Sequence, residues 1–290
     1  LSEPNNLLYF IQRSTEFLKK KGIPQPRLEA EILLAYLLKI PRIQLYAKFE
    51  LPLSESEKTT YRDLIKRRSE YTPTAYLIGT KNFYGIDFIV NPHVLIPRPE
   101  TEELVEILFK GKEKYFPPES EIPVWDLCTG SGNVGIALKS LVPSLKIISS
   151  DASPEALEVA ISNAKMQNLS EDIQFIHSRF DDQIPEDWKF RVIVSNPPYI
   201  PESEKSEIMP EVLLHEPQMA LFIEDFDHFH TELLTVAWNR LINSGWIALE
   251  SHPKFIHNLD IIASNLGYIN REIKKDLSGK DRFFLAQKPD

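Results

Sequence analysis

From Val124 to the end of the chain, apolar runs of strand length alternate with amphipathic segments of helix length, and few folds accommodate that alternation. The runs cover residues 124–128, 146–150, 173–177, 192–195, 246–250, 268–273 and 283–286; candidate helices cover 133–141, 154–167, 228–243 and 253–265. Strands separated by helix-length crossovers pair in parallel, with helices on both faces, so an α/β fold with a mostly parallel sheet is expected. Ligands in such sheets bind outside the carboxyl ends of the strands, which makes the residues just after each strand the functional candidates.

The first 70 residues read differently. Leu7, Phe10, Ile11, Ser14, Phe17 and Leu18 fall on one helical face that Gly22-Ile23-Pro24 stops. A second helix follows from Pro26 with Leu28, Ile32 and Ala35, and a third opens with Ser54 and Glu57 at capping-box spacing and continues through Tyr61, Leu64, Ile65 and Arg68. Phe83-Tyr84, Gly85, and then Ile86, Phe88 and Val90 in alternation predict a hairpin. Pro92, Pro97 and Pro99 hold the next stretch extended until Glu100-Thr101-Glu102-Glu103 starts another helix, and residues 111–123 read as a surface loop. A chain of 290 residues exceeds the usual size of one core. The expected organisation is a small helical domain over 1–74, a hairpin connector over 75–92 and an α/β domain over 93–290.

The 42% hydrophobic and 26% charged shares are those of an ordinary globular protein. No apolar stretch approaches the roughly 20 residues that span a bilayer, so no membrane segment is expected. Leu1-Ser2-Glu3-Pro4 lacks the basic and apolar regions of a secretory signal, and the single cysteine, Cys128, suits a reducing compartment; the cytoplasm is the expected location. A net charge of −9 argues against a broad phosphate-binding face and hence against direct DNA binding.

Only 10 residues are glycine, yet three fall within Asp126-Leu127-Cys128-Thr129-Gly130-Ser131-Gly132-Asn133-Val134-Gly135, between a strand and a helix. Such a loop lets backbone approach a small polar cofactor while helix N–H groups point at it. The spacing also satisfies a dinucleotide fingerprint. Asp126, four residues before the first glycine, would repel a pyrophosphate but suits S-adenosylmethionine, which carries an ammonium and a sulfonium. Asp151, after the run Ile147-Ile148-Ser149-Ser150, can bind both hydroxyls of a ribose, a role shared with NAD proteins.

Ser195-Asn196-Pro197-Pro198-Tyr199 directly follows the strand residues Arg191-Val192-Ile193-Val194. Two prolines stiffen the segment and remove two N–H donors, leaving acceptors. A planar NH2 group can donate to the Asn196 side chain and to the Pro197 carbonyl, with Tyr199 against its flat face. The acceptors orient the nitrogen lone pair and stabilise charge developing on it, which suits methylation of a glutamine amide or of an adenine amino group.

The chain resembles the bacterial peptide chain release factor N5-glutamine methyltransferases, the PrmC/HemK family, over essentially its whole length. The resemblance is carried by Tyr76-Leu77-Ile78-Gly79, Phe83-Tyr84-Gly85, Val94-Leu95-Ile96-Pro97-Arg98-Pro99-Glu100-Thr101-Glu102, Glu216-Pro217 with Ala220-Leu221, and Asp276-Leu277-Ser278-Gly279-Lys280-Asp281-Arg282. It implies a Rossmann-like seven-stranded class I methyltransferase domain whose last strand is antiparallel, and an N-terminal helical domain that helps dock the substrate. That substrate is the Gly-Gly-Gln glutamine of class-I release factors. By position, Asp126, Cys128, Thr129, Gly130, Ser131 and Gly132 should contact the methionine part of S-adenosylmethionine, Asp151 the ribose and Phe180 the adenine, with Thr101 and Asn196 also in the cofactor pocket. Asn196, Pro197, Pro198 and Tyr199 should receive the glutamine, with Asn196, Pro197 and Tyr199 catalytic. The chain departs from the family at Arg179, where an acidic residue is usual, in the glycine-free Leu221-Phe222-Ile223-Glu224-Asp225-Phe226-Asp227, and at Glu250-Ser251-His252-Pro253, which replaces Glu-x-Gly.

The histidines His177, His215, His228, His230, His252 and His257 have no metal-ligand spacing, so no metal is expected. Cys128 has no histidine placed to activate it. Lys66-Arg67-Arg68 reads as a solvated helix face that could meet an acidic partner or ribosomal RNA. Rival readings are a DNA adenine-N6 methyltransferase, which would need base flipping and a basic recognition region, and a non-catalytic cofactor-binding protein; a monomer is expected.

Overall fold

Helix α1 (Leu7–Lys20) starts where the Asn6 side chain accepts the Tyr9 amide at 2.9 Å. A computed structural model describes residues 5–117 and 123–290; the expectations for Leu1-Ser2-Glu3-Pro4 and for residues 118–122 of the surface loop lie outside the described residues. Two compact units are present, one running to Gly79 and including Met209–His215, the other running from Thr80 to Ile208 and from Glu216 onward.

In the first unit α1 is followed by α2 (Pro26–Leu38) and α3 (Glu55–Ser69). The capping box of α3 is formed: Ser54 Oγ accepts the Glu57 amide at 3.3 Å and Glu57 Oε2 accepts the Ser54 amide at 2.7 Å. Tyr61, Leu64, Ile65 and Arg68 are buried as their spacing predicts. Two expectations change. Phe17 is 40% exposed, and α2 buries Ala30, Leu33, Leu34 and Ala35, while Leu28 and Ile32 are only half-buried. α2 touches both α1 and α3, so its buried arc is wider than, and rotated from, a single-stripe reading. That arc includes the carboxylate of Glu31, which is neutralised by Arg27 at 2.9 Å and Arg42 at 2.8 Å and hydrogen-bonded by Tyr46. Arg68 joins Glu29 at 2.8 Å and Glu211 at 2.7 Å, tying the short helix Pro210–His215 into this unit.

The second unit opens with the hairpin of β1 (Thr80–Phe83) and β2 (Ile86–Ile89), antiparallel in the register Phe83↔Ile86. Its turn residues Tyr84 and Gly85 have φ of 50° and 79°, the left-handed pair that two-residue hairpins need. Phe83 and Phe88 are fully buried with Leu104 and Leu108, so the hairpin shares the core of the larger unit. After α4 (Pro99–Lys110), the expected surface loop contains a helix, Lys112–Tyr115, and buries Tyr115 and Phe116. The Tyr115 ring meets Trp246 edge-on at 5.4 Å, an anchor that local composition did not reveal.

The remaining elements follow the predicted alternation: β3 (Val124–Leu127), α5 (Asn133–Leu141), β4 (Ile147–Asp151), α6 (Pro154–Met166), β5 (Ile173–His177), β6 (Phe190–Ser195), α7 (Phe226–Arg240), β7 (Leu241–Glu250), α8 (Ile256–Leu266), β8 (Ile269–Lys275) and β9 (Asp281–Gln287). The seven strands from β3 on form one sheet in the order β8-β9-β7-β6-β3-β4-β5, parallel except for β9, which is antiparallel to both neighbours. Successive residues point to opposite faces. Val124, Val192, Val194, Ala248 and Leu285 pack with α4 and α5, whereas Trp125, Ile193, Ile247, Leu249 and Phe284 pack with α7 and α8. The same alternation turns Asp126, Asn196 and Glu250 to the α4 and α5 side, at the carboxyl ends of three adjacent strands.

Candidate active site

The chain runs outward from β3 through β4 to β5 on one side and through β6 to β7 on the other, so the strand order reverses between β3 and β6. A crevice forms at such a point. The loop after β3 turns sharply, with Cys128, Gly130 and Gly132 all left-handed at φ of 60°, 54° and 80°. Gly132 is required twice over, by that φ and because a Cβ would lie 3.0 Å from Ile136 and 3.2 Å from Ala160. Asn163 of α6 holds the loop by donating to the Ser131 carbonyl at 2.9 Å, while its other hydrogen and its oxygen pair with the Ile89 backbone.

Asp126 is 1% exposed, and its Oδ2 accepts the Thr129 hydroxyl at 2.5 Å and the Gly135 amide at 3.0 Å. A Cβ on Gly135 would stand 2.9 Å from that oxygen, so only glycine lets α5 come this close. Burial pushes the Asp126 carboxyl up to about 7, against the lowering effect of those two hydrogen bonds, and the nearby Asp151 adds to the rise. Asp151 accepts the Gly130 amide through Oδ2 at 2.8 Å and the Ser153 amide through Oδ1 at 2.9 Å, and burial raises its pKa too. It is not the cap of α6; Ser153 is, accepting the Ala156 amide at 3.1 Å.

Beyond β6, Asn196 Nδ2 donates to Thr101 Oγ1 at 3.1 Å, and that hydroxyl donates to Glu250 Oε2 at 2.7 Å. The Tyr199 hydroxyl donates to Glu250 Oε1 at 3.1 Å. Glu216, also buried, accepts the Ile96 amide at 3.0 Å and the Arg98 guanidinium at 2.7 Å, fixing the segment that leads into α4.

One cavity of about 220 Å³ lies within this unit, walled by Thr101, Asp126, Cys128, Thr129, Gly130, Ser131, Asp151, Phe180, Asn196 and Pro198, together with His93, Arg98, Arg179, Pro217, Met219 and Phe229. Of the expected site residues, Gly132, Pro197 and Tyr199 do not line it. Gly132 makes the turn into α5, Pro197 is buried, and Tyr199 is drawn toward Glu250. Phe180, at φ 49°, meets Phe229 at 5.4 Å, and the departing residue Arg179 lies 4.9 Å over the Phe180 ring while gripping Glu232 through two bonds of 2.9 and 2.8 Å. Glu250 and Glu216 carry no site role in the sequence reading, although each opens a segment noted there, Glu250-Ser251-His252-Pro253 and Glu216-Pro217; a carboxylate ending a buried strand is the signal available for Glu250. Burial raises the Cys128 thiol, removing thiolate character, and lowers His230 to about 4, so His230 stays neutral. Among the described residues no group of three or more His, Cys, Asp or Glu could hold a metal ion, and no helix is long and apolar enough to cross a membrane.

The chain matches the PrmC N-terminal domain over residues 10–79 and the methyltransferase small domain over residues 113–224. A release factor glutamine methyltransferase of Leptospira interrogans is 47% identical over 98% of this chain and 99% of its own length. The chain belongs to the release factor glutamine methyltransferase family. A second member, from Rhodopirellula baltica, is 36% identical over 98% of this chain and 97% of its own length. The fold is shared with solved structures such as the T. thermophilus 16S rRNA N2 G1207 methyltransferase in complex with AdoMet and guanosine, with TM-score 0.50 and 16% identity over 72% of this chain and 49% of that one.

The cofactor of this methyltransferase family is S-adenosylmethionine, and the residues present fit it. Two carboxylates face one cavity, and burial disfavours their charge. A cationic, diol-bearing ligand offsets that cost at both, whereas a pyrophosphate would increase it.

Proposed function

We propose that this protein transfers a methyl group from S-adenosylmethionine to the side-chain amide nitrogen of the Gly-Gly-Gln glutamine in class-I peptide chain release factors. The observation that carries the reading is a cavity that unites Asp126 and Asp151, at the ends of β3 and β4, with Asn196 and Pro198, after β6. Family membership supports the substrate, and a cavity bordered by both groups of residues supports binding of the two reactants side by side. Asp126 and the 128–132 loop hold the amino-acid end of the cofactor, Asp151 the ribose, and Phe180 borders the base. Bound there, the cofactor supplies an electrophilic methyl group.

The chain's own work is on the amide. Its lone pair is delocalised into the carbonyl, so the nitrogen is a poor nucleophile. Asn196 Oδ1 and the Pro197 carbonyl accept its two hydrogens, turn the lone pair outward and stabilise positive charge as it develops, which is preorganised electrostatics rather than base catalysis. Tyr199 packs against the amide plane. The surplus proton leaves afterwards to solvent or along those acceptors. Residues 1–74 serve to dock the release factor, the protein works in the cytoplasm as a monomer, and its charge of −9 speaks against DNA as substrate.

The test is transfer of label from S-adenosylmethionine to a release factor, to the same factor with its Gly-Gly-Gln glutamine replaced, and to adenine-containing DNA. Label in the intact factor alone is expected. Label in DNA alone overturns the reading, and cofactor binding without transfer to any substrate favours a non-catalytic protein.

A further inference from the structure

We propose that Glu250 is the positioning residue that sets the hydrogen-bond polarity of Asn196, acting through Thr101, and so makes the amide clamp an acceptor. The proposal rests on the glutamine-methylating reading for its consequence in turnover, but the arrangement itself stands on the side-chain network.

An ionised carboxylate can only accept hydrogen bonds, and Glu250 accepts two, from Thr101 at 2.7 Å and from Tyr199 at 3.1 Å. Thr101 has one hydroxyl proton. Having given it to Glu250, it can meet Asn196 only as an acceptor, and it does so at 3.1 Å. The Asn196 NH2 is thereby committed to Thr101, leaving Oδ1 as the group presented for the substrate. Polarity thus passes from carboxylate to hydroxyl to carboxamide. Sheet register builds the relay: Ser195 pairs with Leu249, so Asn196 and Glu250 both leave the ends of adjacent parallel strands toward α4, where Thr101 sits. Glu250 and Thr101 are each 1% exposed, so water does not substitute for either partner. Burial raises the pKa of Glu250 and the charge of Glu100 adds to the rise, against the lowering effect of the Thr101 hydrogen bond, the charge of Arg282 and the Tyr199 hydroxyl; the relay stands on the geometry, in which both carboxylate oxygens accept a hydroxyl proton. The same carboxylate draws the Tyr199 hydroxyl, so one residue orients both side chains of the clamp.

Glu250→Gln keeps the shape but introduces a donor. Its NH2 can reverse the relay: Thr101 then donates to Asn196 Oδ1, and an NH2 rather than an oxygen faces the substrate amide. The expected result is a fall in kcat of about tenfold or more, with the dissociation constant for S-adenosylhomocysteine unchanged within roughly twofold. Thr101→Val removes the relay hydroxyl and should lower kcat comparably, Thr101→Ser should restore most of that loss, and the Glu250→Gln and Thr101→Val effects should fail to add, because both break one chain of bonds. The Asn196 side-chain amide resonances, identified by their loss in Asn196→Asp, give a readout that needs no substrate: they should move in Glu250→Gln and Thr101→Val and return in Thr101→Ser. Unmoved resonances, or kcat within twofold of wild type in both Glu250→Gln and Thr101→Val, overturn the proposal. Resonances that move as expected in a protein whose wild type transfers no methyl group overturn the functional reading and leave the relay supported. Should Glu250→Gln fail to fold, the contrast between valine and serine at position 101 decides alone.

Discussion

Asp151 Oδ2 accepts the backbone amide of Gly130 at 2.8 Å, so the residue that ends β4 also fixes the shape of the loop that follows β3. Asp151 therefore has two tasks, holding the loop and offering its remaining lone pairs to the ribose. Asp151→Ala should weaken binding of S-adenosylhomocysteine by roughly 10- to 100-fold, the range of one or two hydrogen bonds to a charged group, while kcat at saturating cofactor changes little. Calorimetric titration checks this, and wild-type affinity in the variant would contradict the ribose assignment.

Asn196 should separate from Asp151 in the opposite sense. Asn196→Ala removes an acceptor used when charge develops on the substrate nitrogen, so kcat should fall by about 10²- to 10³-fold, as for loss of a preorganised donor elsewhere. Cofactor affinity should hold within a few-fold, because the carboxylates that bind it belong to other strands. Single-turnover methylation at saturating cofactor measures the first quantity and equilibrium titration the second.

Arg98 and Glu216 join two segments 118 positions apart, and the glutamate side chain is 1% exposed. Arg98→Ala leaves that carboxylate with the Ile96 amide as its remaining partner. A buried charge losing its counterion costs several kcal/mol; with Arg98 itself 29% exposed, about 2 kcal/mol is the expected loss, a fall of roughly 4–8 °C in Tm for a protein of this size. Because Arg98 lines the cavity, cofactor affinity should drop as well. Thermal unfolding with and without S-adenosylhomocysteine tests both, and a Tm within 1–2 °C of wild type would be inconsistent with a pair that anchors the segment.

How far the sequence revealed this architecture follows from the range of the forces involved. The seven strands were legible because period-2 burial is local: Trp246, Ile247, Ala248 and Leu249 alternate between two cores just as they alternate in sequence. The α3 cap and the hairpin turn were legible for the same reason, since Ser54 meets Glu57 three positions on, and Tyr84 and Gly85 are adjacent residues whose own φ angles make the turn. Glu250 was not, because its partner Thr101 lies 149 positions away and nothing near either residue announces the other. The buried face of α2 was misread because Glu31 looks like a surface residue until Arg27, Arg42 and Tyr46 surround it. Arg179 is intermediate: the departure was visible, but its clasp on Glu232 and its place over Phe180 depend on α7.

Asp126 connects this geometry to pH. Its carboxyl, raised by burial to about 7 in the folded protein, sits near 3.9 in an unfolded chain. Between those values the folded state binds the extra proton, so stability attributable to this group is fully present below about pH 4 and declines as pH rises toward 7. Cofactor binding should run the other way. A cationic ammonium favours the ionised form, and the ligand's own amine, which lies beside a carboxylate and is more basic than a peptide's amino terminus, stays protonated through this window. Affinity for S-adenosylhomocysteine should therefore increase about tenfold from pH 5.5 to 7 as the ionised fraction grows, and binding near pH 7 should release protons. Asp126→Asn, which can still accept from Thr129 and Gly135, should bind more weakly at pH 7 and lose most of the pH dependence. Titrations in two buffers of different ionisation enthalpy would measure the proton release directly; a wild-type affinity that is flat from pH 5.5 to 7 would show that Asp126 does not face the cofactor's positive charge.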